Sequence, residues 1–262
     1  MPMWRRWQAK DAVAIVTGAS SGIGRELCRL LIQRGAHVVA TARRAERLEQ
    51  LRCDANSDRL HVVAGDITDE STRGRIIELA VSLFPGRIDL LCNNAGVGAV
   101  GPFAEASPER LRRIMEVNFF APVELTRLAF PYLRKGRTPV VCNISSVLGH
   151  RAVPDKSEYC ASKFALHGWT DAVRAEWSHY GIQFSLVSPS TTASEFFDSV
   201  IDSTGDKAVN RVGVWTPEKV ARASLATIVA RRSESILSLG GKALVYADRL
   251  TPPMVNFILA KK

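Results

Sequence analysis

The chain has 262 residues, a mean hydropathy close to zero and a formal net charge of +9. No repeat, low-complexity tract or Pro/Gly/Ser-rich linker divides it, so we expect a single domain over residues 1–262. The basic residues are spread over many segments and form no block with interleaved aromatic residues, which argues against a nucleic-acid groove. The five cysteines include no CxxC pair and have no histidine cluster nearby, which argues against disulfide and metal sites.

Short apolar runs alternate with longer segments of helical periodicity. The predicted strands are 12–17, 37–41, 60–64, 88–92, 139–145, 182–188 and 235–239. The predicted helices are 22–34, 45–52, 70–84, 107–134, 157–180 and 217–231. Continuously apolar strands joined by long crossovers are typical of parallel sheets. We therefore predict an α/β, Rossmann-type doubly wound parallel sheet of about seven strands with helices on both faces.

The segment before the first strand is basic, and that strand is too short for a signal peptide or a membrane span. Unpaired cysteines suit a reducing compartment. We expect a cytoplasmic protein.

A glycine turn joins the first predicted strand to the first helix, with the sequence TGASSGIG over residues 17–24. Such a turn lets backbone N–H groups approach a pyrophosphate at the positive end of a helix, although glycine also serves ordinary tight turns. The turn residues that we expect to contact a dinucleotide are Gly18, Ser20, Ser21, Gly22, Ile23 and Gly24.

Two arginines, Arg43 and Arg44, follow the second strand, where NAD-binding units normally present an acidic residue to the adenosine ribose. Glu46 comes later, within the next helix. A phosphate would offset the cost of cations at a helix N-terminus. The pattern predicts NADP(H) in preference to NAD(H); the alternative is that both arginines simply point into water.

Several further motifs follow in order after later strands: Asn93-Asn94-Ala95-Gly96, then Asn118, Ser145-Ser146, and Tyr159-Cys160-Ala161-Ser162-Lys163. With the glycine turn, they resemble the short-chain dehydrogenase/reductase family from about residue 10 to about residue 240. The resemblance implies a cofactor half over about 10–145, catalytic and substrate elements over about 146–240, and a C-terminal segment 241–262.

The resemblance assigns catalytic roles to Asn118, Ser146, Tyr159 and Lys163. Tyr159 is the implied acid/base. Lys163 lies one helical turn away, where its charge would favour the phenolate, and it would also hold the nicotinamide ribose. Ser146 would hold the substrate oxygen, with Ser145 the less favoured neighbour. Asn118 would support a proton relay; the alternatives are a turn-capping role for Ser146 and a helix-capping role for Asn118.

The resemblance also implies cofactor contacts beyond the glycine turn. Asp66 resembles the adenine-contacting acid, although it also suits a helix cap, and Cys160 is expected to be a small packing residue. Where the family has Pro-Gly, this chain has Pro189-Ser190, and Ser194 would stand near the nicotinamide carboxamide. The remaining expected contacts are Ile67, Asn94, Ala95, Gly96, Tyr159, Lys163, Pro189, Ser190 and Thr192.

The implied function is NADP(H)-dependent carbonyl reduction or alcohol oxidation on a small or lipid-like substrate, without a metal. Substrate choice is expected from loops 97–103, 147–154 and 195–215, which contain Phe103, His150, Arg151, Phe196, Phe197, Arg211 and Trp215. Alternatives are an NADP(H) sensor or scaffold with little turnover, and nucleic-acid binding through excess basic charge.

The family commonly forms homodimers or homotetramers through the helices that correspond to 107–134 and 157–180, and we expect the same here. The C-terminal segment carries an apolar stretch that is too short to span a membrane. It could dock weakly on a membrane, but packing against another subunit is the favoured interpretation.

Overall fold

The computed structural model describes residues 6–84, 86–190, 192 and 214–260. Seven strands form one parallel sheet in the order β3-β2-β1-β4-β5-β6-β7, which confirms the predicted fold class. The strands are β1 (Val13–Thr17), β2 (His37–Ala42), β3 (Leu60–Ala64), β4 (Leu90–Asn93), β5 (Val140–Ile144), β6 (Gln183–Ser188) and β7 (Glu234–Ile236).

Helices connect the strands and cover both faces of the sheet. They are α1 (Gly22–Gln33), α2 (Ala45–Ala55), α3 (Glu70–Leu83), α4 (Pro108–Met115), α5 (Ala121–Leu133), α6 (Ser157–Glu176), α7 (Pro217–Val229), α8 (Leu239–Leu250) and α9 (Pro252–Ala260). Across the described ranges, none is long and apolar enough to cross a bilayer.

Alternate strand residues supply two separate cores. Ala14 and Val16 of β1 pack with α1, α2 and α7 on one face of the sheet. Ile15, between them, packs with α3, α5 and α6 on the other face. Because each strand is buried on both faces, its sequence is continuously apolar instead of alternating.

The predicted helix 107–134 is helical from residue 108 to residue 133, but it contains a π-helical turn at Glu116–Phe120 between α4 and α5. Pro122 has no N–H, so it cannot donate to the carbonyl of Asn118 four residues earlier. The α-helical ladder is therefore interrupted at this point. The predicted helix 157–180 is also shorter: α6 ends at Glu176, and a 3₁₀ turn follows at Ser178–Tyr180.

The order of the strands reverses direction at β1, which lies between β2 and β4. The chain leaves β1 toward one edge of the sheet and later leaves β4 toward the other. The loops after these two strands consequently separate and leave a crevice at their carboxyl ends, which is where doubly wound sheets bind ligands.

Candidate functional site

A cleft of about 570 Å³ lies at the carboxyl ends of the central strands. Nearly all of the site residues expected from the sequence line it. The lining includes Gly18, Ser20, Ser21, Gly22, Ile23, Arg43, Arg44, Asp66, Ile67, Asn94, Ala95, Gly96, Ser146, Tyr159, Lys163, Pro189, Ser190 and Thr192. Gly24 and Asn118 do not line the cleft and support it from behind.

The glycine turn is packed too closely for side chains. Gly18 has φ +66°, and a Cβ there would lie 2.9 Å from the Cα of Ala95. A Cβ on Gly24 would lie 2.5 Å from the carbonyl oxygen of Gly18. Asn94 closes the turn by donating from Nδ2 to the carbonyls of Thr17 (2.9 Å) and Gly18 (3.2 Å). The turn thus presents backbone to the cleft, which fits a pyrophosphate at the start of α1.

The end of β2 presents positive charge to the same cleft. Arg44 donates to the hydroxyl of Ser20 at 3.0 Å and to that of Ser21 at 2.8 Å, so it joins the end of β2 to the glycine turn. Arg43 and Arg44 are both exposed and line the cleft. This arrangement fits an additional phosphate on the ribose beside the turn.

Asp66 is the only acid among the described residues that line the cleft. One of its oxygens accepts hydrogen bonds from the N–H and hydroxyl of Thr68, and the other accepts from Arg113 at 2.8 Å. Burial alone would raise the pKa of Asp66, but these hydrogen bonds and the Arg113 charge outweigh it and lower the pKa. Asp69, not Asp66, stands at the N-cap of α3, so the helix-capping alternative does not hold.

Ser146, Tyr159 and Lys163 meet at the inner end of the cleft. Ser146 is hydrogen-bonded to the Tyr159 side chain, and its hydroxyl also accepts from the N–H of Leu148 at 3.1 Å. The serine therefore caps its turn and faces the phenol at once. The Lys163 ammonium lies 5.7 Å from the centre of the Tyr159 ring and donates to the carbonyl of Ile144 at 3.1 Å.

The pKa of Tyr159 moves in the direction opposite to the sequence-based expectation. Burial raises the pKa of the phenol well above its ordinary value, and the hydrogen bond with Ser146 offsets only part of that rise. Burial also lowers the pKa of Lys163 to about 8. Desolvation thus acts on both groups and opposes ionisation of the Tyr159 phenol.

Asn118 is not at a helix start. It lies inside the π-helical turn, and Ser107, eleven residues earlier, caps α4. The Asn118 side chain accepts from the N–H of Val97 and donates to the carbonyl of Val97, both at 2.9 Å, and it donates to the hydroxyl of Ser162 at 3.0 Å. It therefore fixes the loop after β4 against α6, one residue from Lys163.

Two histidines, His150 of loop 147–154 and His167 of α6, support the segment that contains Ser145 and Ser146, here called the serine loop. His167 Nε2 lies 2.9 Å from the hydroxyl of Ser145. His150 Nε2 lies 3.1 Å from the hydroxyl of Ser188, and the two imidazole rings pack edge to face with centres 4.3 Å apart. Nothing in the local sequence identifies this pair, because the residues come from separate elements.

The serine in place of the family's glycine is accommodated without strain. The backbone at Ser190 does not have a positive φ, so no conformation that favours glycine is needed. The Ser190 hydroxyl meets that of Ser238 at 2.8 Å, and the Thr192 hydroxyl donates to the Ser190 carbonyl at 3.2 Å.

The candidate substrate residues do not gather as expected. Phe103, His150, Arg151 and Trp215 lie away from the cleft lining: Arg151 pairs with Asp248 at 2.9 Å. Ser194, Phe196, Phe197 and Arg211 lie outside the described residues. Other residues of two of the expected loops, 97–103 and 147–154, do line the cleft. The described side chains there are mainly apolar, with Val97, Val100, Val147, Leu148 and Val153, and Leu244 of α8 joins them.

Comparisons with known proteins agree with this geometry. Residues 12–204 match a family model described as short chain dehydrogenase. Dehydrogenase/reductase SDR family member 7B of Xenopus laevis is 33% identical over 270 residues, covering 96% of this chain and 81% of the relative. The uncharacterized oxidoreductase YxnA of Bacillus subtilis is 33% identical over 261 residues, covering 96% of this chain and 72% of the relative.

Solved structures share the fold over most of their length. A short chain dehydrogenase from Burkholderia cenocepacia in complex with NADP has a TM-score of 0.82 at 27% identity, covering 96% of this chain and 98% of that chain. One from Burkholderia phymatum in complex with NAD has a TM-score of 0.86 at 21% identity, covering 94% and 96%, and shows the fold alone.

Proposed function

Because this chain belongs to the short-chain dehydrogenase family, we propose that it is an NADP(H)-dependent oxidoreductase acting on a carbonyl or secondary alcohol of a small or lipid-like substrate. The observation that carries the proposal is the hydrogen-bonded Ser146–Tyr159 pair beside Lys163 in a cleft that fits a dinucleotide. The bound cofactor supplies the hydride.

The chain's own residues supply the proton and hold the reacting oxygen. In the reducing direction, the hydroxyls of Ser146 and Tyr159 bind the substrate carbonyl oxygen, and Tyr159 donates its proton to the developing alkoxide. A phenol of raised pKa remains protonated at neutral pH, as a proton donor must. Lys163 positions the cofactor ribose and provides positive charge below a pH of about 8.

The preference for NADP(H) rests on Arg43 and Arg44 at the end of β2. Their guanidinium groups suit a ribose phosphate, and the described lining has no free carboxylate there to accept from ribose hydroxyls. The mainly apolar inner lining favours a substrate whose carbonyl is attached to an apolar body. We expect such an enzyme to act as a homo-oligomer in the cytoplasm.

The test is NADPH oxidation with a panel of aldehydes and ketones, from short and polar to long and apolar. We expect turnover that improves with apolar size. Tyr159→Phe should bind NADPH with unchanged affinity, measured by cofactor fluorescence, and should lose turnover by about a hundredfold or more. The matched control is Cys160→Ala, because Cys160 is the next residue in α6 and is buried.

A chain that binds NADPH but oxidises it with no member of the panel would support the sensor alternative. Full activity of Tyr159→Phe would refute the assigned acid while leaving the cofactor site untouched. Loss of NADPH binding in Cys160→Ala as well as in Tyr159→Phe would mean that both substitutions merely disturb α6.

A further inference from the structure

Helices α8 and α9 expose an unusual number of large apolar side chains. Leu239 is 85% exposed, Leu250 81% and Phe257 61%. Single exposed apolar residues are common in soluble proteins, but a set on two contacting helices marks an interaction surface. We define the C-terminal apolar patch as Leu239, Tyr246, Leu250, Met254, Phe257 and Ile258, all of which are more than half exposed.

The patch residues give each helix one exposed apolar stripe. In α9 the exposed side chains Met254, Phe257 and Ile258 lie three and four positions apart, and in α8 Leu239, Tyr246 and Leu250 lie seven and eleven positions apart. A helix with one such stripe lies in the boundary between lipid headgroups and acyl chains, with its apolar side chains inserted.

The charges beside the patch complement an anionic membrane surface. Lys242 and Arg249 of α8 are exposed. Asp248, the one acid in the sequence between 239 and 260, is paired with Arg151 at 2.9 Å. The chain as a whole carries a formal charge of +9, which adds a long-range attraction to anionic lipid.

The patch adjoins the lining of the cleft. Gly240, Gly241 and Leu244 of α8 line the cleft, on the same helix that carries three patch residues. Gly241 packs so closely on Val147 that a Cβ would lie 2.8 Å from its Cγ1. A surface bound to the patch would therefore lie beside the apolar inner lining of the cleft.

We propose that the C-terminal apolar patch docks this protein on the surface of an anionic bilayer, with the α8 side of the cleft next to the lipid. The docking rests on the patch alone. Its consequence, that the substrate is a lipophilic carbonyl or alcohol taken from the membrane, rests on the proposed function. Apolar substrate would then reach the cleft without crossing water.

The experiment is cosedimentation of the full chain with vesicles of phosphatidylcholine alone or mixed with phosphatidylglycerol. We expect binding to the anionic vesicles, weakening with salt, and weaker binding to phosphatidylcholine. Phe257→Ser with Ile258→Ser should reduce the affinity by about tenfold or more, because two apolar side chains leave the lipid. Phe103→Ser is the control, since Phe103 is 69% exposed and lies outside the patch.

Equal binding of the double variant and the parent would overturn the proposal, as would absence of binding to anionic vesicles. If the parent does not bind vesicles and the double variant has a lower molar mass than the parent, the patch is a contact between copies of the chain. That result would also overturn the proposal. Turnover of a water-soluble carbonyl should survive in the double variant. If both chains lack turnover but the parent binds vesicles, the proposed function fails and the docking stands.

Discussion

The Arg44 side chain bridges two parts of the cofactor cleft while remaining exposed. It binds the hydroxyls of Ser20 and Ser21 and would meet a ribose phosphate through the same guanidinium group. Cofactor preference should therefore depend on one residue whose loss leaves the sheet and the glycines intact.

We expect Arg44→Ala to weaken NADPH binding by about tenfold to a hundredfold, the usual scale for a lost charge-assisted hydrogen bond, and to leave NADH binding within about twofold. Titration of both cofactors measures this. Arg29→Ala in α1 removes the same charge outside the cleft lining and serves as the control. An equal loss for both cofactors would show that Arg44 only shapes the turn.

Two half-buried histidines, His150 and His167, make the serine loop sensitive to acid. Burial is the main cause that lowers the pKa of His167 to about 3 and that of His150 to about 4. As the pH falls below about 6.5, the ordinary pKa of histidine, both imidazoles become protonated in the unfolded chain. In the folded chain they stay neutral until the pH approaches their lowered pKa values. Folding stability is therefore fully present above about pH 6.5 and falls as the pH decreases toward these values.

His167→Gln should reduce this acid sensitivity, because glutamine can still bond Ser145 and does not titrate. Between about pH 7 and about pH 5 the parent should lose more unfolding free energy than the variant, at up to about 1.4 kcal/mol for each pH unit per proton. Urea unfolding at several pH values provides the comparison. The exposed His179→Gln should behave like the parent, and parallel pH profiles for all three chains would contradict the argument.

At the scale of elements, a buried ion pair sets α6 against α4. Arg110 and Glu158 are each 2% exposed, with the guanidinium 2.7 Å from the carboxylate. Glu158 directly precedes Tyr159, so the pair fixes the turn of α6 that carries the phenol. Their separation of 48 residues and ordinary sequence surroundings give no sign that they meet.

Arg110→Met should lower the unfolding free energy by about 3–5 kcal/mol, because Glu158 would be left charged and buried without its partner. Arg110→Met combined with Glu158→Leu should recover most of that loss. Chemical unfolding of the parent, both single variants and the double variant completes the cycle. Additive losses in the double variant would show that the two side chains do not act as a pair.

Sequence patterns identified the central elements better than the connections between them. Strands β1 to β6 follow from β-branched, apolar runs that are buried on both faces, and α1 and α7 follow from helical periodicity. The π-helical turn around Asn118 was missed because its extra residue does not interrupt the apolar pattern, although Pro122 was a usable signal. Helices α8 and α9 were not predicted. In α9 the sequence has apolar residues on nearly every side, so it shows no helical periodicity.

The site was predicted less evenly than the fold. Short motifs after successive strands predicted that Gly18, Ser146, Tyr159 and Lys163 share one site, and all four line the same cleft. The pKa of Tyr159 could not be read from its spacing to Lys163, because it depends on burial by residues distant in sequence. The hydrogen bonds of Asn118 to Val97 and Ser162 likewise arise only after the sheet assembles.

At the scale of the whole molecule, a second exposed apolar surface lies on the helices where we expect self-association. Leu111 of α4, Leu128 of α5 and Phe164 of α6 are 39%, 40% and 43% exposed. None of these three side chains belongs to the C-terminal apolar patch. Self-association and vesicle binding can therefore be tested by separate substitutions.

Light scattering should give the mass of a dimer or tetramer for the parent chain. Leu128→Asp with Phe164→Asp should shift it toward the monomer, because charges would be buried in the contact between copies. Phe103→Asp adds a charge at an exposed position outside both surfaces and should leave the mass unchanged. A monomeric parent would contradict the expectation directly.

A row of amides and hydroxyls crosses the middle of the sheet. Asn93 of β4 donates to Thr126 of α5 and to Asn143 of β5, and Asn143 donates to Thr170 of α6. Because each member depends on the next, these four residues lock the alignment of two strands and two helices. Replacing one of them alone leaves its neighbour without a hydrogen-bond partner in the apolar interior. A redesign of this molecule would therefore have to exchange all four together.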